Sequence, residues 1–209
     1  MHTSAIEPLL LDAARISPDL NDLALALERE AAALENSVPP SVRESIADLM
    51  RVTNSYYSNR IEGNDTRTSA IVAAMKKKDL PDPARALQRQ AWAHVEVEKL
   101  AEKKLATEPD IEPTSEPFLR WLHREFYSRV DDSLRWVEYP TTKRRERVVP
   151  GELRTYDVVV GRHIAPPHPA LDALLRRAGE RYRSDTLSGL NRAMAFAASH
   201  HRLMWIHPF

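Results

Sequence analysis

Three short segments carry residues whose types and spacing could do chemistry. The first is Ser58-Asn59-Arg60-Ile61-Glu62-Gly63-Asn64. Ser58 and Glu62 are one helical turn apart, so a helix would set a hydroxyl and a carboxylate on the same face. Gly63-Asn64 suits a left-handed cap just beyond them. The second segment runs from Pro150-Gly151-Glu152-Leu153-Arg154 through residues 158–167. A turn dipeptide there precedes an alternating stretch, which suits a strand whose edge can accept an added peptide. The third is the run His200-His201-Arg202-Leu203-Met204-Trp205-Ile206-His207-Pro208-Phe209. His207 precedes a proline, which biases it out of a helix, and an imidazole held just beyond a helix end can serve as a general base. Taken singly, each segment has a plain alternative. Glu62 is then a solvated acid at a helix end, the Pro-Gly segment a surface hairpin, and His207 a structural histidine.

Helical elements must position these segments. Ser17-Pro18-Asp19 reads as a helix start, with Leu20, Leu23, Leu27, Ala31 and Leu34 recurring at helical spacing until Pro39-Pro40. Ser41 opens a second helix, carrying Val42, Ile46, Leu49, Val52, Tyr56 and Ile61 toward the Ser58–Glu62 pair. A third spans roughly residues 66–78, Leu80-Pro81-Asp82-Pro83 breaks the chain, and a long helix follows over roughly residues 84–106. Residues 107–117, with three prolines and four acids, read as a boundary. Beyond it, Phe118, Leu119, Leu122, Phe126 and Tyr127 form an aromatic helical face. Residues 136–165 turn β-branched, with Val148-Val149, Val158-Val159-Val160 and Ile164, and are expected to form a short hairpin or flap. Helices over roughly residues 170–183 and 187–205 then lead to His207.

Composition narrows the classes of function. Across 209 residues, Lys plus Arg and Asp plus Glu are both 30, so no net field draws the chain onto nucleic acid or a membrane. The run Lys143-Arg144-Arg145-Glu146-Arg147 beside Trp136 and Tyr139 is a local exception, expected to be a solvated surface rather than a nucleic-acid site. With Cys 0 there are no disulfides, thiolate metal sites or cysteine nucleophiles, which suits a reducing cytoplasm. No apolar run nears the roughly 20 residues needed to cross a bilayer. His94, His123, His163 and His168 have no metal-ligand spacing, so no metal site is expected within the chain.

In this order and spacing, the three segments together resemble the Fic (Fic/Doc, Fido-domain) family. His207-Pro208-Phe209 matches the start of its catalytic motif, preceded by a family-like helix end over residues 198–206. Ser58 to Gly63 matches its inhibitory motif, a Ser or Thr followed one turn later by Glu and then Gly or Asn. Residues 150–154 and 158–167 resemble its target-docking flap. The resemblance implies an all-α fold, a Fic-type helical bundle with a short β-hairpin flap. It implies an N-terminal helical region over 1–112, with the inhibitory helix around 41–63, and the first part of a Fido domain over 113–209.

The implied activity is AMPylation, the transfer of AMP from ATP to a Ser, Thr or Tyr hydroxyl of a target protein, with Mg²⁺. His207 would take the hydroxyl proton. Val158, Val159, Val160, Gly161, Arg162, His163 and Ile164 would pin the target by strand-like pairing. Glu62, steadied by Ser58, would restrain the enzyme by pairing with an arginine of the catalytic motif. That motif continues in the family into an acidic residue, a Gly-Asn-Gly anion cradle and two arginines, and here the sequence departs: it ends at Phe209. The five glycines, at 63, 151, 161, 179 and 189, are scattered and cannot replace the cradle. The expectation is a chain cut inside its catalytic motif, binding no ATP or Mg²⁺ alone and inactive alone. Apolar surface around Leu190, Met194, Phe196, Leu203 and Trp205 would be left open. The rival expectation is a catalytically dead fragment that acts as a protein-interaction module. The implied partner is a hydroxyl-bearing target protein, with homo-oligomer formation left open.

Overall fold

The computed structural model describes residues 6–7, 9–12, 15–61, 63–64, 66–76, 83–139 and 143–209. In chain order the helices are α1 (Pro18–Ser37), α2 (Pro40–Ile61), α3 (Thr68–Lys76), α4 (Pro83–Thr107), α5 (Glu116–Arg129), α6 (Leu171–Arg181) and α7 (Gly189–Ile206). Strands β1 (Trp136–Glu138), β2 (Arg145–Arg147), β3 (Val159–Val160) and β4 (His163–Ile164) form two separate antiparallel pairs, β1 with β2 and β3 with β4. The β-branched stretch over 136–165 therefore makes two small hairpins. The Pro-Gly turn lies between them. Among the described residues no helix is long and apolar enough to cross a membrane.

The chain divides into two compact units, each assembled from separate stretches. The first comprises Met1–Pro39, Ile111–Leu119 and Leu153–Phe209, and the second Pro40–Asp110 and Arg120–Glu152.

In the first unit, α6 supplies the clearest amphipathic face. Leu171, Leu174, Leu175, Ala178 and Tyr182 recur at helical spacing and are all buried, against Ile6, Leu9 and Leu10 from the N-terminal segment and Ala195 and Ile206 from α7. Leu171 and Ile206 are essentially inaccessible, and each such side chain stabilises the unit by about 2 kcal/mol. The Tyr182 hydroxyl donates to the Leu9 carbonyl at 2.8 Å, so the tyrosine buries its ring without orphaning its oxygen. Glu112 receives the Ser184 amide at 2.7 Å, which fastens residues 111–119 to the turn after α6.

α1 begins as its sequence indicates, with Ser17 accepting from the Leu20 amide at 3.2 Å and Pro18 in the first turn. No residue of α1 is buried, however, and Leu23, Leu27 and Leu34 are largely exposed. Helical period fixes which side chains share a face; only a partner layer buries that face, and α1 meets α7 alone among the major helix contacts. On α7, Met194, Leu203 and Trp205 pack partly into the core, whereas Phe196 is 82% exposed.

The second unit is organised around α4, which contacts both α2 and α3. Val52, Ile71, Ala91 and Val95 form its centre, with Tyr56 and Trp92 packed against it. The face of α2 that is buried is largely polar, comprising Arg51, Ser55 and Asn59 beside Val52, while Leu49 and Ile61 of the expected apolar stripe are exposed. Polar burial is tolerated because the groups are satisfied. Ser55 Oγ donates to the Ala91 carbonyl at 2.7 Å and Asn59 Nδ2 to the Ser55 carbonyl at 2.8 Å. Arg51 donates to Asp48 at 2.7 Å and to both carboxylate oxygens of Glu102.

Candidate functional site

His207 owes its position to the way α7 ends. Pro208 disfavours the right-handed helical conformation at the residue before it, and the chain leaves the helix through His207 in the left-handed region, at φ 47° and ψ 63°. Its amide still closes onto the Leu203 carbonyl at 2.9 Å. A non-glycine residue in this region costs about 1 kcal/mol, and such residues cluster where structure holds a group for use. His207 is half-buried. Its pKa is pushed below the ordinary histidine value, first by burial, then by the charge of Arg154 and that of His163. Each influence favours the neutral imidazole, the form a general base requires.

The flap lies in the same unit. Val159 pairs with Ile164 and Val160 with His163. Gly161 and Arg162 make the two-residue connection, with Gly161 at φ +60° in the first central position, where turns matching strand twist ask for glycine. Ala165 donates its amide to the Val158 carbonyl at 3.2 Å, extending the hairpin by one rung. Because side chains alternate, Val159 and Ile164 share one face, and they are 65% and 76% exposed. On the other face, His163 Nε2 lies 2.8 Å from the Trp205 carbonyl. A carbonyl can only accept, so this nitrogen carries the proton. Asp157 staples the flap base by accepting the His168 amide at 2.8 Å and lying 3.0 Å from His168 Nδ1. Those bonds, the backbone one first, hold its carboxyl below the usual range.

The 158–164 hairpin is thus fastened to the end of α7 through His163 at the Trp205 carbonyl, and Arg154 bonds both the hairpin's roots and the His207 carbonyl. Ser58 belongs to the second unit, where it is exposed near the end of α2, and Glu62 lies outside the described residues. Where α2 ends, a cavity of about 660 Å³ is lined by Tyr56, Arg60, Gly63, Asn64, Arg67, Thr68 and Ser69, and not by Ser58. Arg60 donates to the Tyr56 hydroxyl there at 2.9 Å. Among the described residues no group of three or more His, Asp or Glu side chains is placed to hold a metal ion.

Two residues matter more than their sequence context suggests. Arg154, read only as the end of the Pro-Gly segment, is fully buried and donates to backbone carbonyls on both sides of the flap and at the end of α7. His123, which has no metal-ligand spacing in the sequence, is also buried. Its Nδ1 accepts the Gly151 amide at 2.9 Å, and burial alone pushes its pKa down to about 4. The turn it holds has the Val149 carbonyl accepting from the Glu152 amide at 3.0 Å, with Pro150 and Gly151 (φ +83°) in the central positions of a type II turn.

No family model and no curated protein matches the chain. A solved structure does. The crystal structure of a Fic family protein from Desulfovibrio desulfuricans G20 is similar over 93% of this chain and 53% of its own, with a TM-score of 0.60 and 18% sequence identity. The chain therefore has the fold of that Fic protein, a helical bundle with a small hairpin, and spans about half its length.

Proposed function

We propose that this chain belongs to a Fic-type AMP-transferase, with His207 as the base and residues 158–164 as the flap that docks the target. The observation that carries this reading is the state of His207. It is turned out of the helix into the left-handed region, half-buried, biased toward its neutral form, and set on a helix end to which the flap is also fastened.

In the proposed reaction an imidazole nitrogen of His207 takes the proton of a Ser, Thr or Tyr hydroxyl on the target. The hydroxyl oxygen bonds to the α-phosphorus of ATP as the bond to pyrophosphate breaks, and pyrophosphate leaves with its electron pair. The exposed strand-like backbone of the flap would hold the target segment while this happens, converting a bimolecular encounter into a positioned one. In the proposed enzyme Mg²⁺ and the nucleotide phosphates would be held by the acidic residue and glycine-rich cradle that continue the His-Pro-Phe motif in the Fic family. The five glycines of this sequence are dispersed and form no such cradle. The reading is therefore tested on the protein expressed from its complete gene, and these 209 residues on their own are expected to transfer no AMP.

Glu62 is proposed as the brake and Ser58 as its support, because Ser58 lies in the last turn of α2 and Glu62 follows it four residues later in the sequence, in the pattern of an inhibitory motif. One assay addresses both roles: incorporation of label from α-labelled ATP by the protein expressed from its complete gene. His207→Ala is expected to lower incorporation by about 100-fold or more, and Glu62→Gly to raise it. Full transfer by the His207 variant would refute the base. Unchanged self-modification by the Glu62 variant would refute the brake.

A further inference from the structure

Arg154 is connected in a way that neither the base nor the flap alone accounts for. Its side chain is 0% exposed. Nη1 donates to the Tyr156 carbonyl and Nη2 to the Pro166 carbonyl, both at 2.6 Å, so one guanidinium holds the chain just before and just after the 157–165 flap. Nε donates to the His207 carbonyl at 2.7 Å and Nη2 also reaches the Ile206 carbonyl at 3.3 Å. The backbone amide of Arg154 donates to the Pro208 carbonyl at 3.0 Å. Three consecutive carbonyls of the His207 turn are thus tied to the same residue that ties both roots of the flap.

The chemistry of the side chain explains why this position takes arginine. A guanidinium presents its donors in a rigid planar fork, so groups bonded to its different edges are fixed relative to one another. A lysine ammonium has three donors on one nitrogen at the end of a flexible stem, and cannot reach both flap roots and the histidine turn in one geometry. The acceptors at positions 206 and 207 lie at the C-terminal end of α7, where helix carbonyls lack internal partners and a positive charge is favoured. Capping alone would not require the fork to extend to Tyr156 and Pro166.

We propose that Arg154 is a positioning residue that couples the flap to His207, so that a strand docked on the flap presents its hydroxyl at a fixed height above the imidazole. The proposal rests on His207 and the flap having the roles assigned above. A second tie runs from His163, on the face opposite the exposed Val159 and Ile164, to the Trp205 carbonyl.

Amide hydrogen exchange and the His207 ring resonance test the coupling without any readout of catalysis. In Arg154→Lys, exchange is expected to speed up about tenfold at Ala165, whose amide closes the flap onto Val158, and also at His207, whose amide closes onto Leu203. Tyr182, whose amide closes onto Ala178 in the core of the same unit, is expected to keep its wild-type rate.

Gly161→Ala perturbs the flap from its other end, since a side chain is strained at φ +60° and the new Cβ meets nothing within 4 Å. It is expected to shift the His207 ring signal when Arg154 is present, and to shift it by less than half as much in the Arg154→Lys background. Several outcomes overturn the proposal: Ala165 and His207 responding independently, Tyr182 accelerating with them, no response of His207 to Gly161→Ala, or an undiminished response in the double variant. Full AMP transfer by His207→Ala would remove the base while leaving these measurements standing, so the two readings fail separately.

Discussion

Each unit of this molecule contains a turn held by a buried side chain, and the two holders have opposite chemistry. In the first unit Arg154, a permanent cation, donates to carbonyls around His207 and the flap. In the second, His123, neutral and with its pKa lowered to about 4, accepts the Gly151 amide of the Pro-Gly turn. A guanidinium keeps its donors at any pH a protein survives, whereas an imidazole nitrogen stops accepting once it is protonated. The first arrangement is a fixed frame, suited to holding reacting groups in register. The second is stable only while a buried ring stays uncharged.

The largest expected effect comes from removing the frame. Arg154→Ala strands the buried carbonyls of Ile206 and Pro166 and the half-buried ones of His207 and Tyr156, and should lower the unfolding free energy of the chain by about 4 kcal/mol, measured by urea titration. Arg51 is the control. It is comparably buried, but its partners Glu102 and Asp48 are 52% and 53% exposed and can return to water when it is removed. Arg51→Met is expected to cost about half as much. Its wild-type contribution should weaken with added salt more than that of Arg154, which is bonded mainly to carbonyls and meets the Asp157 carboxylate only at 3.9 Å. Equal costs for the two substitutions would mean that the exposure of the partners does not matter here, and would collapse the contrast.

The sequence made the frame's pieces legible but not the frame. Local signals placed the helices well: Ser17-Pro18 opens α1, Pro39-Pro40 separates α1 from α2, and Pro83 opens α4. Valines and Gly161 marked β3 and β4, and Pro208 marked His207 as leaving its helix. Arg154 escaped because its partners at 206 and 207 are backbone carbonyls more than fifty residues away, and a carbonyl has no sequence signature. His123 escaped for the same kind of reason, since its ring meets a turn on a distant stretch of chain. The apolar stripes of α1 and α2 failed differently. Period says which residues share a face, but burial depends on what packs there, and on α2 the packed face proved to include Arg51, Ser55 and Asn59.

Acid sharpens the comparison. The folded-state pKa of His123, about 4, lies below its ordinary value of 6.5, so between those limits the unfolded chain binds the proton and the folded one resists it. Unfolding free energy should therefore fall as pH drops from about 6.5 toward 4, by up to about 3 kcal/mol from this group. His123→Gln should remove most of that dependence. His207, also lowered, contributes in the same direction, but protonating its ring leaves every hydrogen bond of Arg154 to a carbonyl in place. The distinguishing measurement is local: on acidification, exchange at the Gly151 amide should accelerate before exchange at Arg154 or Ala165. Simultaneous acceleration at all three would mean that the two turns do not differ in their response to protons.

The smallest effect concerns how tightly each region confines its turn. Gly151 and Gly161 both have positive φ, at +83° and +60°, so alanine is strained at either position. They differ in what surrounds them. A Cβ at Gly151 would come within 2.9 Å of Arg124 Nε and 3.2 Å of the Arg120 carbonyl, against the helix that also carries His123, whereas one at Gly161 meets nothing within 4 Å. Backbone strain alone should cost Gly161→Ala about 1 kcal/mol. Gly151→Ala adds the displacement of α5 backbone and should cost about 2 kcal/mol, read as the larger fall in Tm. If the order reverses, the flap is the more constrained of the two turns, and Arg154 holds its tip as firmly as its roots.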